Sequence, residues 1–136
     1  EQQLVFHICN SKPKILALDA RGFIFGSIIA DRNDLNLVLC RKKGKLPGET
    51  ITKDLELEYN KTTLELQKDT IKTNDNVIIV DDLMATGGTA IAAIEMVKEL
   101  GCTVSAVACV IDLPNLGGSN KIKELNIPFY SSVKYD

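Results

Sequence analysis

The sequence predicts an α/β domain built on a mainly parallel, twisted sheet flanked by helices. Two observations carry this expectation. Short apolar runs of strand type alternate with helix-type patterns, the order that a parallel sheet with crossover helices requires. Unusual polar residues stand directly after three of those runs, where ligands gather in an open parallel sheet. With 136 residues the chain is long enough for one core, and it has no linker, repeat or low-complexity stretch. Residues 1–136 therefore read as a single domain.

Each element has its own justification. Leu4, Val5 and Ile8 share a helical face, so the first ten residues read as the tail of a helix that starts upstream of Glu1. Residues 15–18 form the first strand and end at Asp19. Residues 22–31 follow as a helix that is apolar almost all round, which predicts burial on every side. The next strand, 37–40, ends at Arg41, and the stretch RKKGKLPGET after it reads as a loop from its glycines and proline. In residues 51–67, Leu55, Leu57 and Tyr59 alternate with Glu56 and Glu58, and Leu64 and Leu66 alternate again after a turn at 60–62. This is the pattern of an antiparallel hairpin with one wet side, a flap spanning about residues 46–70. Strand 77–80 leads into a helix from about Gly88 to Leu100, with Ile91, Ile94 and Val97 on its apolar face and Gly101 as its stop. A strand at 104–111, a short helix near 119–125 and a strand near 128–133 complete the chain.

Composition removes several classes of function. The balance of 45% hydrophobic and 25% charged residues is that of a soluble globular protein. A net charge of −2 provides no basic field for nucleic acid. No apolar run approaches the roughly 18 residues of a membrane span, and no signal peptide is visible. The cysteines at 9, 40, 102 and 109 lack metal-type or redox-type spacing. Cys40, Cys102 and Cys109 lie in or beside apolar runs and read as buried reduced thiols, so the expected compartment is reducing and cytoplasmic. His7 is the only histidine and sits outside every motif.

The stretch VIIVDDLMATGGTA, residues 77–90, holds the most informative chemistry. Thr86, Gly87, Gly88 and Thr89 lead straight into a helix. Glycines admit a ligand close to the backbone, the helix start offers free N–H groups, and two hydroxyls add donors, which suits a phosphate monoester. Asp81 and Asp82 repel such a phosphate. As pure acceptors they suit vicinal hydroxyls or a hydrated Mg²⁺. A phosphate beside a diol describes ribose 5-phosphate. Arg21 after the first strand, and Arg41, Lys42, Lys43 and Lys45 after the second, supply cations for a second anionic group such as pyrophosphate. Singly these features have plainer readings: a Gly-Gly turn, surface acids, a solvated basic loop, a structural ion pair for Arg21. Their occurrence at successive strand ends favours one shared site.

The stretch 77–90 resembles the signature by which type I phosphoribosyltransferases bind phosphoribosyl pyrophosphate. With LDARGFIFG, RKKGKLPG and LEYNKTTLELQKD it resembles the adenine-specific members of that family, over essentially the whole chain. The resemblance implies the type I phosphoribosyltransferase fold and transfer of a phosphoribosyl group from phosphoribosyl pyrophosphate to adenine, giving AMP and pyrophosphate with Mg²⁺. It implies that Asp81 and Asp82 contact the ribose hydroxyls and that Ala85, Thr86, Gly87, Gly88 and Thr89 cradle the 5′-phosphate. Arg21, Arg41, Lys42 and Lys45 match the pyrophosphate contacts. Glu58 and Tyr59 match the closing loop, with Glu58 as the catalytic acid/base, and Leu113 matches a position beside the base pocket. Mg²⁺ is expected to be held mainly through the substrate rather than by direct protein ligands. The family is usually a homodimer and carries an N-terminal hood over the adenine, which is expected to precede Glu1. Two other readings stay open: a transferase for another purine base or for orotate, and a non-catalytic regulator that senses phosphoribosyl pyrophosphate or purines. The flap and the basic loop argue for the enzyme.

Overall fold

The structure is a computed structural model that describes residues 12–56 and 61–136. The expected helix tail, His7, Cys9, Glu58 and Tyr59 lie outside the described residues. Among the described residues seven strands form one sheet, with three helices around it. The order of elements is β1 (Lys14–Leu18), α1 (Gly22–Arg32), β2 (Leu37–Lys42), β3 (Thr50–Glu56), β4 (Lys61–Gln67), β5 (Asn76–Met84), α2 (Gly88–Glu99), β6 (Thr103–Asp112), α3 (Gly118–Glu124) and β7 (Phe129–Lys134). A single 3₁₀ turn, Pro114–Leu116, precedes α3.

Across the sheet the strands run β3-β4-β2-β1-β5-β6-β7. The block β2-β1-β5-β6-β7 is parallel, and β3 and β4 add an antiparallel hairpin at the β2 edge. The chain leaves β1 for β2 on one side and returns to pair β5 on the other. Crossovers between parallel strands are right-handed, so connections that leave in opposite directions put their helices on opposite faces. The packing agrees. Ile29 and Ala30 of α1 join Ile15, Ile78, Val80 and Ala106 in one cluster. Ala93, Ile94, Met96 and Val97 of α2 join Leu16, Val77, Ile79 and Val107 in the other. Residues 77–80 thus alternate between two cores, which is why that run is apolar at every position.

Four expectations need correction. Helix α1 is not buried all round: Ile24 is 57% and Ile28 41% exposed. Only the side carrying Gly22, Gly26, Ile29 and Ala30 rests on the sheet, because within the described residues α1 forms a single layer there. Strand β2 runs on through Arg41 and Lys42, since these residues pair with Glu65 and Leu64 of β4. Strand β5 continues through both aspartates to Met84, paired along β6 as far as Asp112. Lys61 and Thr62, expected in the hairpin turn, already belong to β4 and face Glu56 and Leu55. The hairpin itself is present, in the register that joins Thr50 to Gln67. Cys40, Cys102 and Cys109 are buried free thiols as expected.

Candidate active site

Strand order decides where the polar residues meet. Since β1 lies between β2 and β5, the carboxyl ends of these three strands are neighbours at the point where the sheet reverses direction. Asp19 and Arg21 stand at the end of β1, Arg41 and Lys42 at the end of β2, and Asp81 and Asp82 in the last part of β5. A cleft of about 280 Å³ opens beside the ends of β1 and β2, lined by Asp19, Cys40, Lys42, Lys61, Thr62, Leu64 and Thr89. It joins the basic end of β2, the hairpin and the start of α2 around one space.

The glycine loop is shaped for an anion. Gly87 takes φ 88°, a left-handed conformation that favours glycine. It is the N-cap of α2, and among the described residues no side chain caps the helix, which leaves its first N–H groups open to a ligand. A pocket of about 120 Å³ lies over them, lined by Asp81 and by residues 83–90. Thus Ala85, Thr86, Gly87, Gly88 and Thr89 share one cradle at a helix start. Behind the loop stands α3. Gly118 N–H donates to the Ala85 carbonyl at 2.9 Å, and Lys121 Nζ donates to the Thr86 carbonyl at 3.1 Å. A Cβ on Gly118 would stand 2.6 Å from the Ala85 oxygen and 2.8 Å from the Gly87 nitrogen. Gly118 and Lys121 were not singled out from the sequence. The second glycine pair, Gly117-Gly118, was the available signal, but only the fold brings it against the first.

Charge in the site is internally compensated. Arg21 Nε lies 2.7 Å from Asp82 Oδ2. Arg41 Nε, the Lys42 backbone N–H and Lys45 Nζ all donate to Asp19 Oδ2, each at 3.4 Å. These are long contacts, so they hold the cations by charge more than by directed bonds. Burial opposes ionisation of Asp19, but the Lys42 N–H, the Lys45 ammonium and the Arg41 charge outweigh it, and its carboxyl sits below the ordinary range. The Arg41 guanidinium also lies over the Phe23 ring, 5.4 Å from its centroid.

Asp81 behaves oppositely. Burial pushes its carboxyl up to about 7, with the neighbouring Asp82 carboxyl adding to the effect. Its Oδ1 accepts the Asp82 N–H at 2.8 Å. Asp81 also borders an apolar hollow of about 190 Å³ on the α1 side, walled by Phe25, Ile29, Val80 and Tyr130. Leu113 lines none of these three spaces; it directly follows β6, its N–H bonded to the Met84 carbonyl at 3.0 Å. The structure therefore unites Arg21, Arg41, Lys42, Lys45, Asp81, Asp82 and residues 85–89, and leaves Leu113 at the margin.

The chain matches the phosphoribosyl transferase domain family over residues 1–130. An adenine phosphoribosyltransferase of Marinomonas sp. (strain MWYL1) is 45% identical over 130 residues, covering 96% of this chain and 72% of that protein. One from Marinobacter nauticus is 48% identical over 122 residues, covering 90% of this chain and 68% of that protein. Among solved structures, the Saccharomyces cerevisiae adenine phosphoribosyltransferase, complexed with an imino-altritol bisphosphate and adenine, superposes with a TM-score of 0.85 at 38% identity, over 96% of this chain and 73% of that one. The Trypanosoma brucei enzyme, in complex with AMP, pyrophosphate and ribose-5-phosphate, superposes with a TM-score of 0.85 at 30% identity, over 97% of this chain and 61% of that one.

Proposed function

The chain belongs to the phosphoribosyl transferase domain family, and from that premise we propose that it transfers the 5-phosphoribosyl group of phosphoribosyl pyrophosphate to adenine, giving AMP and pyrophosphate. One observation carries the sugar-phosphate half: a phosphate cradle at a helix start, an acid pair and a cationic cluster meet at three adjacent strand ends. The base is named by the relatives described above, each an adenine phosphoribosyltransferase by name.

On this reading residues 85–89 hold the 5′-phosphate, and Asp81 and Asp82 accept the ribose hydroxyls. Arg21, Arg41, Lys42 and Lys45 take the pyrophosphate. Binding then exchanges partners: Asp82 releases Arg21 to the leaving group and receives a hydroxyl instead. Displacement at the anomeric carbon passes through a cationic sugar, and fixed cations on the leaving group lower its barrier. Glu58 serves as the acid/base, Tyr59 closes beside it, and Leu113 borders the base; the hairpin, as a flap, keeps water from the sugar.

Asp81 and Asp82 offer hard oxygen donors at the site, while no group of three or more His, Cys, Asp or Glu among the described residues could hold a metal alone. That donor set fits Mg²⁺ carried largely on substrate oxygens, where it would draw charge from the departing pyrophosphate. No described helix is long and apolar enough to cross a membrane. We further infer a cytoplasmic homodimer that works in purine salvage without nucleic-acid partners.

The test is AMP formation from adenine, phosphoribosyl pyrophosphate and Mg²⁺, with hypoxanthine and guanine as competing bases. AMP as the main product supports the reading. Product only with another base, or ligand binding with no turnover, overturns it.

A further inference from the structure

Glu65 sits in the middle of β4 between two buried leucines, Leu64 and Leu66. Alternation along a half-wet strand would send it to solvent, yet it is only 6% exposed. Its two oxygens have separate tasks. Oε1 accepts the backbone N–H of Gly44 at 2.6 Å, and Oε2 accepts the Thr50 hydroxyl at 2.6 Å. The Thr50 hydroxyl first, then the Gly44 N–H, hold its carboxyl below the ordinary range, with help from the Lys43 charge.

The two donors flank the basic loop. Gly44 lies between Lys43 and Lys45 and takes φ 88°. Thr50 is the first residue of β3. The carboxylate therefore closes the loop between β2 and β3 from the inside, and in register it lies between Arg41 of β2 and Thr52 of β3. An apolar residue here could fill the space but could accept neither of these hydrogen bonds. A negative charge behind a loop that receives an anion is, by itself, unfavourable to that anion. What a carboxylate offers here is two directed acceptors, one of them for a backbone N–H that would otherwise be left without a partner.

We propose that Glu65 is a positioning residue for the leaving-group end: it holds residues 43–49 in the conformation that presents Lys42 and Lys45 to pyrophosphate. The proposal rests on the phosphoribosyl transfer reading and deepens it. Glu65 acts through the loop and touches no reacting atom.

Charge and positioning predict opposite signs. Removing a negative charge alone tightens anion binding; releasing the loop weakens it. Calorimetry with the full chain, titrating Mg-pyrophosphate and separately AMP, distinguishes them. In Glu65→Met, affinity for pyrophosphate is expected to fall roughly tenfold or more, the scale of losing hydrogen bonds to a charged acceptor. AMP affinity stays within about twofold, because AMP carries no pyrophosphate. Glu65→Gln is expected to restore most of the loss, since its carbonyl still accepts from Gly44 and its amide can donate to Thr50. Thr50→Val removes one donor at little change in volume and gives a smaller loss, again confined to pyrophosphate. Tighter pyrophosphate binding in Glu65→Met, or equal losses for both ligands, overturns the proposal. Wild-type protein that binds neither ligand overturns the phosphoribosyl reading itself, and this proposal with it.

Discussion

Asp81 and Asp82 are chemically identical neighbours with different surroundings. Asp82 meets Arg21, whereas Asp81 is pushed up to about 7, first by burial and then by Asp82. The sign of the consequence follows from linkage. Unfolded, Asp81 has the ordinary value of 3.8; folded, about 7. Between these values the folded protein binds more protons than the unfolded chain, so stability falls as pH rises, by at most about 1.4 kcal/mol per unit. The loss is complete above both values. Asp81→Asn should remove this slope, so denaturant melts of the two proteins should converge toward pH 4 and separate toward pH 7, the variant being the more stable. Parallel pH profiles would count against the shift.

The pair of Arg21 with Asp82 makes a second residue-scale prediction. Asp82→Asn frees Arg21 and removes the proposed ribose contact, so it should tighten free pyrophosphate several-fold while weakening ribose 5-phosphate. In an Arg21→Ala background the tightening should vanish, which a double-mutant cycle reads directly. A gain of the same size in both backgrounds would mean that Asp82 acts as bulk charge, independent of Arg21.

At the scale of elements, the glycine loop depends on α3 as much as on its own residues. Gly118→Ala places a methyl against the Ala85 carbonyl and the Gly87 nitrogen, both backbone atoms that yield only by moving the loop. Such overpacking is expected to reduce AMP affinity roughly tenfold, with pyrophosphate affinity kept, because the basic cluster lies on other strands. Equal AMP affinity in the variant would show that the loop tolerates the shift. The helix α2, which starts at the cradle, ends against the hairpin: Lys53 Nζ of β3 lies 2.6 Å from Glu99 and 3.6 Å from Glu95. Elements whose periodicity was clear matched closely, as at 15–18 and 104–111 in the sequence against Lys14–Leu18 and Thr103–Asp112 in the fold. Polar strand ends did not. Arg41, Lys42 and Asp81 are strand residues because partner strands pair with them, and Asp82 continues the same strand as Asp81; such pairing leaves no mark on polar residues.

For the whole molecule, a ligand that spans both ends of the site should stabilise it more than either half. Phosphoribosyl pyrophosphate at 100 times its Kd adds about 2.7 kcal/mol to folding stability. A thermal melt with the intact donor should therefore exceed melts with ribose 5-phosphate or pyrophosphate at equal concentration. Equal shifts from donor and pyrophosphate would leave the acid pair and the phosphate cradle without a role in binding.

By itself the sequence determined the α/β class, the strand and helix cores and the two-ended ligand. Apolar period and the pairing of acids with a glycine loop are local facts, carried by residues close along the chain. Tertiary structure alone decided who meets whom. It placed β1 between β2 and β5, so that the ends of β1 and β2, the hairpin and the start of α2 share one cleft. It set Arg21 on Asp82, brought Gly118 behind the cradle and turned Glu65 inward beneath the basic loop. Each of these depends on strand order and register, which arise from the burial of whole faces and not from any short stretch of sequence.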